Sequence, residues 1–128
     1  MPLRLHVIVW GTGMLRREFL HSDDMARACV FLMNMSDEQS ITFFSKETVP
    51  IVNIGAGKDL TIRELAEMIA NVVGFSGKLL FDTTKPDGTP QKLLDVSWVH
   101  ALGWYPEHIL YTGIVGVYRD FLEMYTYV

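Results

Sequence analysis

Two short stretches carry side chains suited to binding chemistry. The first is FDTTKPDGTPQKLLD, residues 81–95, where Lys85 and Lys92 bracket Asp87, two prolines and a glycine. Pro86-Asp87-Gly88 suits a tight turn, with proline presetting one dihedral, and Pro90 stiffens the exit. A stiff loop loses less entropy when a ligand orders it. The lysines can meet phosphates, and the carboxylate can accept hydrogen bonds from sugar hydroxyls or a base edge. A solvated turn accounts for the prolines and the glycine, but it leaves the placement of the charges unexplained. The second stretch is WGTGMLRREF, residues 10–19. Trp10 ends a strand-like run at a glycine turn, a usual place for a binding aromatic. Arg16 and Arg17 follow. Neighbouring side chains on a strand point to opposite faces, so only one arginine enters a given pocket. The competing reading is a surface turn with solvated arginines.

The elements that must position these residues follow from periodicity. HVIVW (6–10) reads as a strand closed by the glycines of GTG, and REFLH (17–21) as a second short one. Residues 22–24 offer caps for a helix on which Met25, Ala28, Cys29, Leu32 and Met35 share a face. Residues 36–49 read as polar and irregular, apart from ITFF at 41–44. VPIVNIG (49–55) reads as a buried strand, followed by a helix that opens with a capping box between Thr61 and Glu64 and stops at Gly74. KLLF (78–81) is a further strand. A short helix ends at Gly103, and a last helix between about Pro106 and Tyr125 places Leu110, Ile114, Val117, Phe121, Leu122 and Tyr125 on one face. Strands alternating with helices predict an α/β arrangement. So few strands predict a small sheet-and-helix subdomain rather than a complete doubly wound one.

Composition narrows the function classes. With 128 residues the chain holds one domain. A net charge of −4 argues against general affinity for nucleic acid, so any anion site is a local cluster of cations. The single cysteine, Cys29, cannot pair internally, which favours a reducing, cytoplasmic setting. No apolar run approaches the ~20 residues of a membrane span. The start of the chain, MPLRLHVIVWGTG, has no convincing signal-peptide cleavage site.

Catalytic constellations are thin. His6, His21, His100 and His108 have no metal-ligand spacing, so neither a metal set nor a catalytic set is expected. Cys29 reads as an inert buried thiol, and Asp23–Asp24 as capping and helix-dipole chemistry. NIGAGKDL (53–60) imitates a dinucleotide fingerprint, but Leu60 stands where a third glycine would fall. A plain strand-to-helix turn is the better reading.

VWGTG with REF, KPDGTPQKLLDV (85–96), NIGAGKDLTIRELAEMIANVVGF (53–75) and LGWYPE (102–107) together resemble the C-terminal, substrate-binding part of bacterial GDP-L-fucose synthases. REFLHSDDMARA (17–28) is similar to extended short-chain dehydrogenases more broadly. The resemblance implies an NADP-dependent epimerase–reductase acting on GDP-4-keto-6-deoxy-mannose to give GDP-L-fucose. It implies nucleotide-sugar contacts at Trp10, Arg17, Asp87 and Lys92, with Arg17 preferred to Arg16 by its place before EF. The family's Gly-rich NADP loop and its Tyr-x-x-x-Lys pair have no counterpart in the sequence, so no cofactor is expected to bind this chain alone. Leu15 stands where a proline is expected. The resemblance thus describes a single nucleotide-sugar-binding subdomain over residues 1–128, without the NADP-binding domain and prone to self-association through uncovered apolar surface. The alternative is a stand-alone, non-catalytic module that binds GDP or a partner.

Overall fold

The computed structural model describes residues 5–44 and 49–125; residues 1–4, the polar residues 45–48 and residues 126–128, with Tyr127, lie outside the described residues. In chain order the elements are β1 (His6–Trp10), β2 (Arg16–Glu18), α1 (Ser22–Met33), α2 (Asp37–Phe43), β3 (Asp59–Thr61), α3 (Ile62–Val73), β4 (Lys78–Asp82), β5 (Gln91–Lys92), α4 (Ser97–Ala101) and α5 (Leu110–Tyr125). This is the expected mixed α/β arrangement, divided between two small sheets. β1 and β4 pair in parallel, with Trp10 opposite Asp82. β2 is the centre of the second sheet, antiparallel to β3 and parallel to β5.

Helix α3 forms as its sequence predicts. Thr61 Oγ1 accepts the Glu64 N–H at 3.1 Å, and Glu64 Oε2 accepts the Thr61 N–H at 2.7 Å, closing the capping box. The next free amides, of Ile62 and Arg63, donate to the carbonyls of Leu15 and Gly13, each at 2.9 Å. The start of α3 is thereby seated on the turn that follows β1. Gly74 ends the helix in the left-handed region at φ 69.

Helix α1 departs from expectation in its cap and in its buried face. It is capped by His21, whose Nδ1 accepts the Asp23 N–H at 3.2 Å. Its inner side is led by Asp24 and Ala28, while Met25 and Cys29 are exposed. The cause is the Asp24 carboxylate, only 1% exposed. It accepts the backbone N–H groups of Glu107 and His108 at 3.2 and 2.9 Å and lies 3.0 Å from His108 Nδ1. That anchor fixes the rotation of the helix, so Asp24 does more than complement the helix dipole.

Three further segments differ from the periodicity reading. Residues 37–43 are helical because Ser36 and Gln39 form a capping box of their own. Segment 49–55 is not a strand; Val52 and Ile54 pack against the core and the Asn53 side chain donates to the Asp95 carbonyl at 3.2 Å. β3 and β5 are too short for alternation to reveal them. The core is small: Ala28, Val96, Val99 and Trp104 are buried, ringed by Leu20, Phe31, Val52 and Ile54. On α5, Phe121, Leu122 and Tyr125 remain largely exposed.

Two stability predictions follow from these anchors. Thr61→Ala should lower the unfolding free energy by about 1 kcal/mol in chemical denaturation, through loss of the cap. Asp24→Asn should cost roughly 1–3 kcal/mol, because the amide NH2 would face buried backbone donors. Burial opposes ionisation of Asp24, but the hydrogen bonds and charge of His108 outweigh it, holding the carboxyl below the ordinary aspartate range. The folded-state pKa is depressed, so this stabilisation is present above the unfolded aspartate value and is lost as pH falls through the folded one. The stability of Asp24→Asn should therefore decline less steeply across that acid window.

Candidate functional site

The candidate site is built on β2 and on the turns that leave β1 and β4. Along β2 the side chains alternate, and the two arginines separate accordingly. Arg16 turns to Asp59: its Nε and Nη2 donate to Asp59 Oδ1 at 3.0 and 2.8 Å. Gln91 Nε2 donates to the other carboxylate oxygen of Asp59. The guanidinium hydrogen bond, reinforced by Gln91, holds the Asp59 carboxyl below its usual range and Arg16 above its own. Arg16 is thus spent in joining three strands. Arg17 takes the opposite face and is the register partner of Lys92 on β5. Parallel partners project to the same side, so the two cations stand next to each other. Among the described residues, the Lys92 side chain has no hydrogen-bond or ion-pair partner, and the Arg17 side chain donates only to the Arg16 carbonyl, at 2.6 Å.

Trp10 ends β1, and Asp87 lies in the loop that runs from β4 to β5. Trp10 is 72% exposed at the end of β1, with Lys85 Nζ 5.3 Å over its ring. Asp87 Oδ1 accepts the Thr12 N–H at 3.0 Å and Oδ2 accepts the Thr12 hydroxyl at 2.7 Å. The Thr12 hydroxyl and then its amide hold the Asp87 carboxyl below the ordinary range. Gly11 has φ 85, and a β-carbon there would lie 2.3 Å from Asp87 Oδ1, so the turn has room for the carboxylate only as glycine. At the next residue, a β-carbon on Gly88 would approach Arg17 Nη2 at 3.8 Å. Of the four expected contacts, Arg17 and Lys92 are register partners, while Trp10 and Asp87 connect to them only through the intervening Lys85, Thr12 and Gly88. The larger cavities, of about 470 and 480 Å³, lie beside the 105–110 segment and between α3 and α5, and none of the four lines them.

The glycine loop that imitates a dinucleotide fingerprint is filled from within. Glu18 Oε1 accepts the Gly57 N–H at 2.6 Å, and Oε2 accepts the Leu94 N–H at 3.2 Å. A β-carbon on Gly55 would lie 2.6 Å from Glu18 Oε1. A pyrophosphate would meet a carboxylate already seated there, so these residues do not fit the phosphates of a dinucleotide. The sequence offered a signal for this cradle: two glycines after an extended run, with no helix start to serve an anion.

The histidines also rearrange. His21, Asp23 and His108 lie within 4.8 Å of one another through their ligand atoms, a proximity that sequence spacing did not reveal. The two imidazoles stack at 4.1 Å with planes 10° apart. An ion between them would face both ring surfaces instead of the in-plane lone pairs. His21 Nδ1 already accepts the Asp23 amide and His108 Nδ1 faces Asp24, so the group behaves as a hydrogen-bonded packing unit.

Comparison with known proteins finds similarity in sequence and fold to sugar-nucleotide enzymes. The NAD dependent epimerase/dehydratase family matches residues 2–55. GDP-L-fucose synthase of Escherichia coli K12 is 50% identical over 120 residues, which cover 91% of this chain and 36% of that protein. GDP-L-fucose synthase 1 of Arabidopsis thaliana is 50% identical over 117 residues, 91% of this chain and 33% of its own length. A crystal structure of a GDP-6-OMe-4-keto-L-xylo-heptose reductase from C. jejuni superposes with a TM-score of 0.83 at 41% identity, over 93% of this chain and 34% of that one. The chain spans about a third of the length of the relatives it matches.

The separation of the arginines predicts different stability effects. Arg16→Ala should lower the denaturation midpoint, because it unties β2 from β3 and β5. Lys92→Ala, at an exposed side chain, should change the unfolding free energy by no more than about 0.5 kcal/mol, and Arg17→Ala, at a half-buried side chain bonded to the Arg16 carbonyl, should cost less than Arg16→Ala. Denaturant titration of the three variants reads the difference.

Proposed function

We propose that this chain, a homologue of about one third of the GDP-L-fucose synthases, is the part of such an enzyme that grips the GDP end of its sugar substrate. The observation that carries the reading is the Arg17–Lys92 register pair, two adjacent cations with no carboxylate partner among the described residues, while Arg16 is bound by Asp59. A diphosphate is the complementary ligand, because each cation can donate charge-assisted hydrogen bonds to it. Trp10 supplies an aromatic surface for the base or sugar. Asp87 keeps lone pairs beyond those used by Thr12, and these can accept a sugar hydroxyl. In this reading residues 1–128 form one nucleotide-sugar-binding subdomain.

The whole enzyme would convert GDP-4-keto-6-deoxy-mannose to GDP-L-fucose by epimerisation and NADPH-dependent reduction. Within that reaction the residues of this chain bind and orient. The hydride donor's Gly-rich loop and a Tyr-x-x-x-Lys proton donor do not occur in its sequence, and the Gly55–Gly57 loop is occupied by Glu18. The chain alone is therefore expected to give no NADPH oxidation with the keto sugar; turnover of roughly 1 per second or more, an enzyme-like rate, would overturn the assignment of chemistry to other residues. No helix among the described residues is long and apolar enough to cross a membrane. The lone cysteine fits a reducing, cytoplasmic setting. Exposed apolar side chains such as Val7, Ile8, Phe121 and Tyr125 favour self-association of the chain by itself.

Calorimetric titration with GDP tests the grip. Arg17→Ala and Lys92→Ala should each weaken binding roughly ten- to a hundredfold, the loss of a charge-assisted contact. Arg16→Ala should do much less, and GMP should show a smaller penalty from both variants. Equal losses from Arg16 and Arg17, or none from Lys92, would remove the diphosphate from this face.

A further inference from the structure

Thr12 lies in the middle of the GTG turn, where its sequence context predicts no role of its own, yet it ties that turn to the 83–90 loop and to α3. Its amide and hydroxyl both donate to Asp87, and its hydroxyl accepts the Met14 N–H at 3.1 Å. Arg63, stacked 3.7 Å over the Phe81 ring, reaches the Thr12 carbonyl at 3.4 Å. The Thr12 turn is therefore braced from β4 and from the start of α3. The loop opposite is not. Residues 83–90 are exposed along their whole length. Asp82 holds the near end, accepting the Lys85 N–H at 3.2 Å and the Thr84 N–H and hydroxyl at 3.0 and 2.6 Å. The Pro90 carbonyl holds the far end, accepting the Arg16 N–H at 2.9 Å. Between those ends, the Asp87 carboxylate is where hydrogen bonds tie the loop to the rest of the described chain.

We propose that Thr12, acting through Asp87, is a positioning residue: the pair is a latch that holds the 83–90 loop closed over the Trp10–Arg17–Lys92 face. The inference rests on the reading of that face as a GDP site. Closing the latch sets Lys85 over Trp10 and brings Gly88 beside Arg17, so the loop forms one wall of the space the diphosphate would fill. A ligand enters and leaves with the latch open. One of the two hydrogen bonds to Asp87 comes from the Thr12 hydroxyl, so a single substitution weakens the latch without removing a charge from the site. Serine keeps both donors of threonine, whereas valine keeps only the amide at nearly the same volume.

The test uses the full chain in three forms, wild type, Thr12→Val and Thr12→Ser, with Arg17→Ala as the control for the site itself. Stopped-flow kinetics with GDP should show Thr12→Val releasing GDP roughly tenfold faster with an association rate little changed, since weakened contacts act mainly on dissociation. Thr12→Ser should restore the wild-type rate. A release rate for Thr12→Val within twofold of wild type, or a failure of serine to rescue, overturns the latch. Hydrogen exchange without ligand keeps the two readings apart. Loop amides 83–90 should exchange faster in Thr12→Val and at the wild-type rate in Thr12→Ser, whether or not GDP binds. If GDP affinity is absent or indifferent to Arg17→Ala while exchange follows this pattern, the GDP reading fails and the latch stands as a loop restraint. If exchange in Thr12→Val matches wild type, the latch itself is refuted.

Discussion

Side-chain alternation along β2 is the constraint on which the rest of the site depends. Three consecutive charged residues, Arg16, Arg17 and Glu18, cannot share a face on an extended strand. Arg16 and Glu18 turn the same way, and both are consumed by the fold. Arg16 pairs with Asp59, and the Glu18 carboxylate takes the Gly57 and Leu94 amides. Those contacts fasten β3, the glycine loop and the segment after β5 to the central strand. The same alternation leaves Arg17 on the other side, next to Lys92 and with no carboxylate partner among the described residues. The sheet is held by two of the three charges, and the third is the one the proposed ligand reading uses.

Glu18 also shows how one glycine-rich loop can serve opposite ends. A loop with exposed amides is an anion receptor, and it does not distinguish a phosphate from a carboxylate supplied by its own chain. Here the internal anion is tethered, so its effective concentration at the cradle far exceeds that of a diffusing ligand. The loop therefore works as a strut. It locks Gly55–Gly57 against β2 and helps set the register in which Leu94, and with it Lys92, is presented.

Legibility in the sequence tracked the range of the interaction. The Thr61–Glu64 box and the Gly74 stop were readable because all their partners lie within a turn of helix. The Ser36–Gln39 box is equally local but was obscured by the apolar ITFF that follows it, which reads as strand when the cap is overlooked. Asp24 could not be read. Its partners Glu107 and His108 are more than eighty residues away, and an acidic residue in a first helical turn already has a sufficient local reason to be there. Because that anchor sets the rotation of α1, the exposure of Cys29 was lost with it. The four candidate contacts came from motif resemblance, and of them the fold pairs Arg17 with Lys92 through a β5 too short to read in the sequence.

The two sheets meet at the site for a topological reason. β1 and β4 run parallel and in register, so Trp10 and Asp82 end their strands side by side and both chains leave from the same edge. In α/β proteins that carboxyl edge is where ligands collect, because the connecting loops there are free to diverge in sequence while the strands hold their origins fixed. The turn after Trp10 and the loop after Asp82 therefore begin within one strand spacing, about 5 Å, of each other. A threonine two residues into one and an aspartate five residues into the other can meet without either backbone straying far. The second sheet begins on the same path: the turn continues into β2, and the loop ends in β5, its parallel partner. Two chain segments thus run together from strand ends through a hydrogen-bonded crossing to a second strand pair. The cations they deliver, Arg17 and Lys92, come out adjacent because the segments start and finish in register.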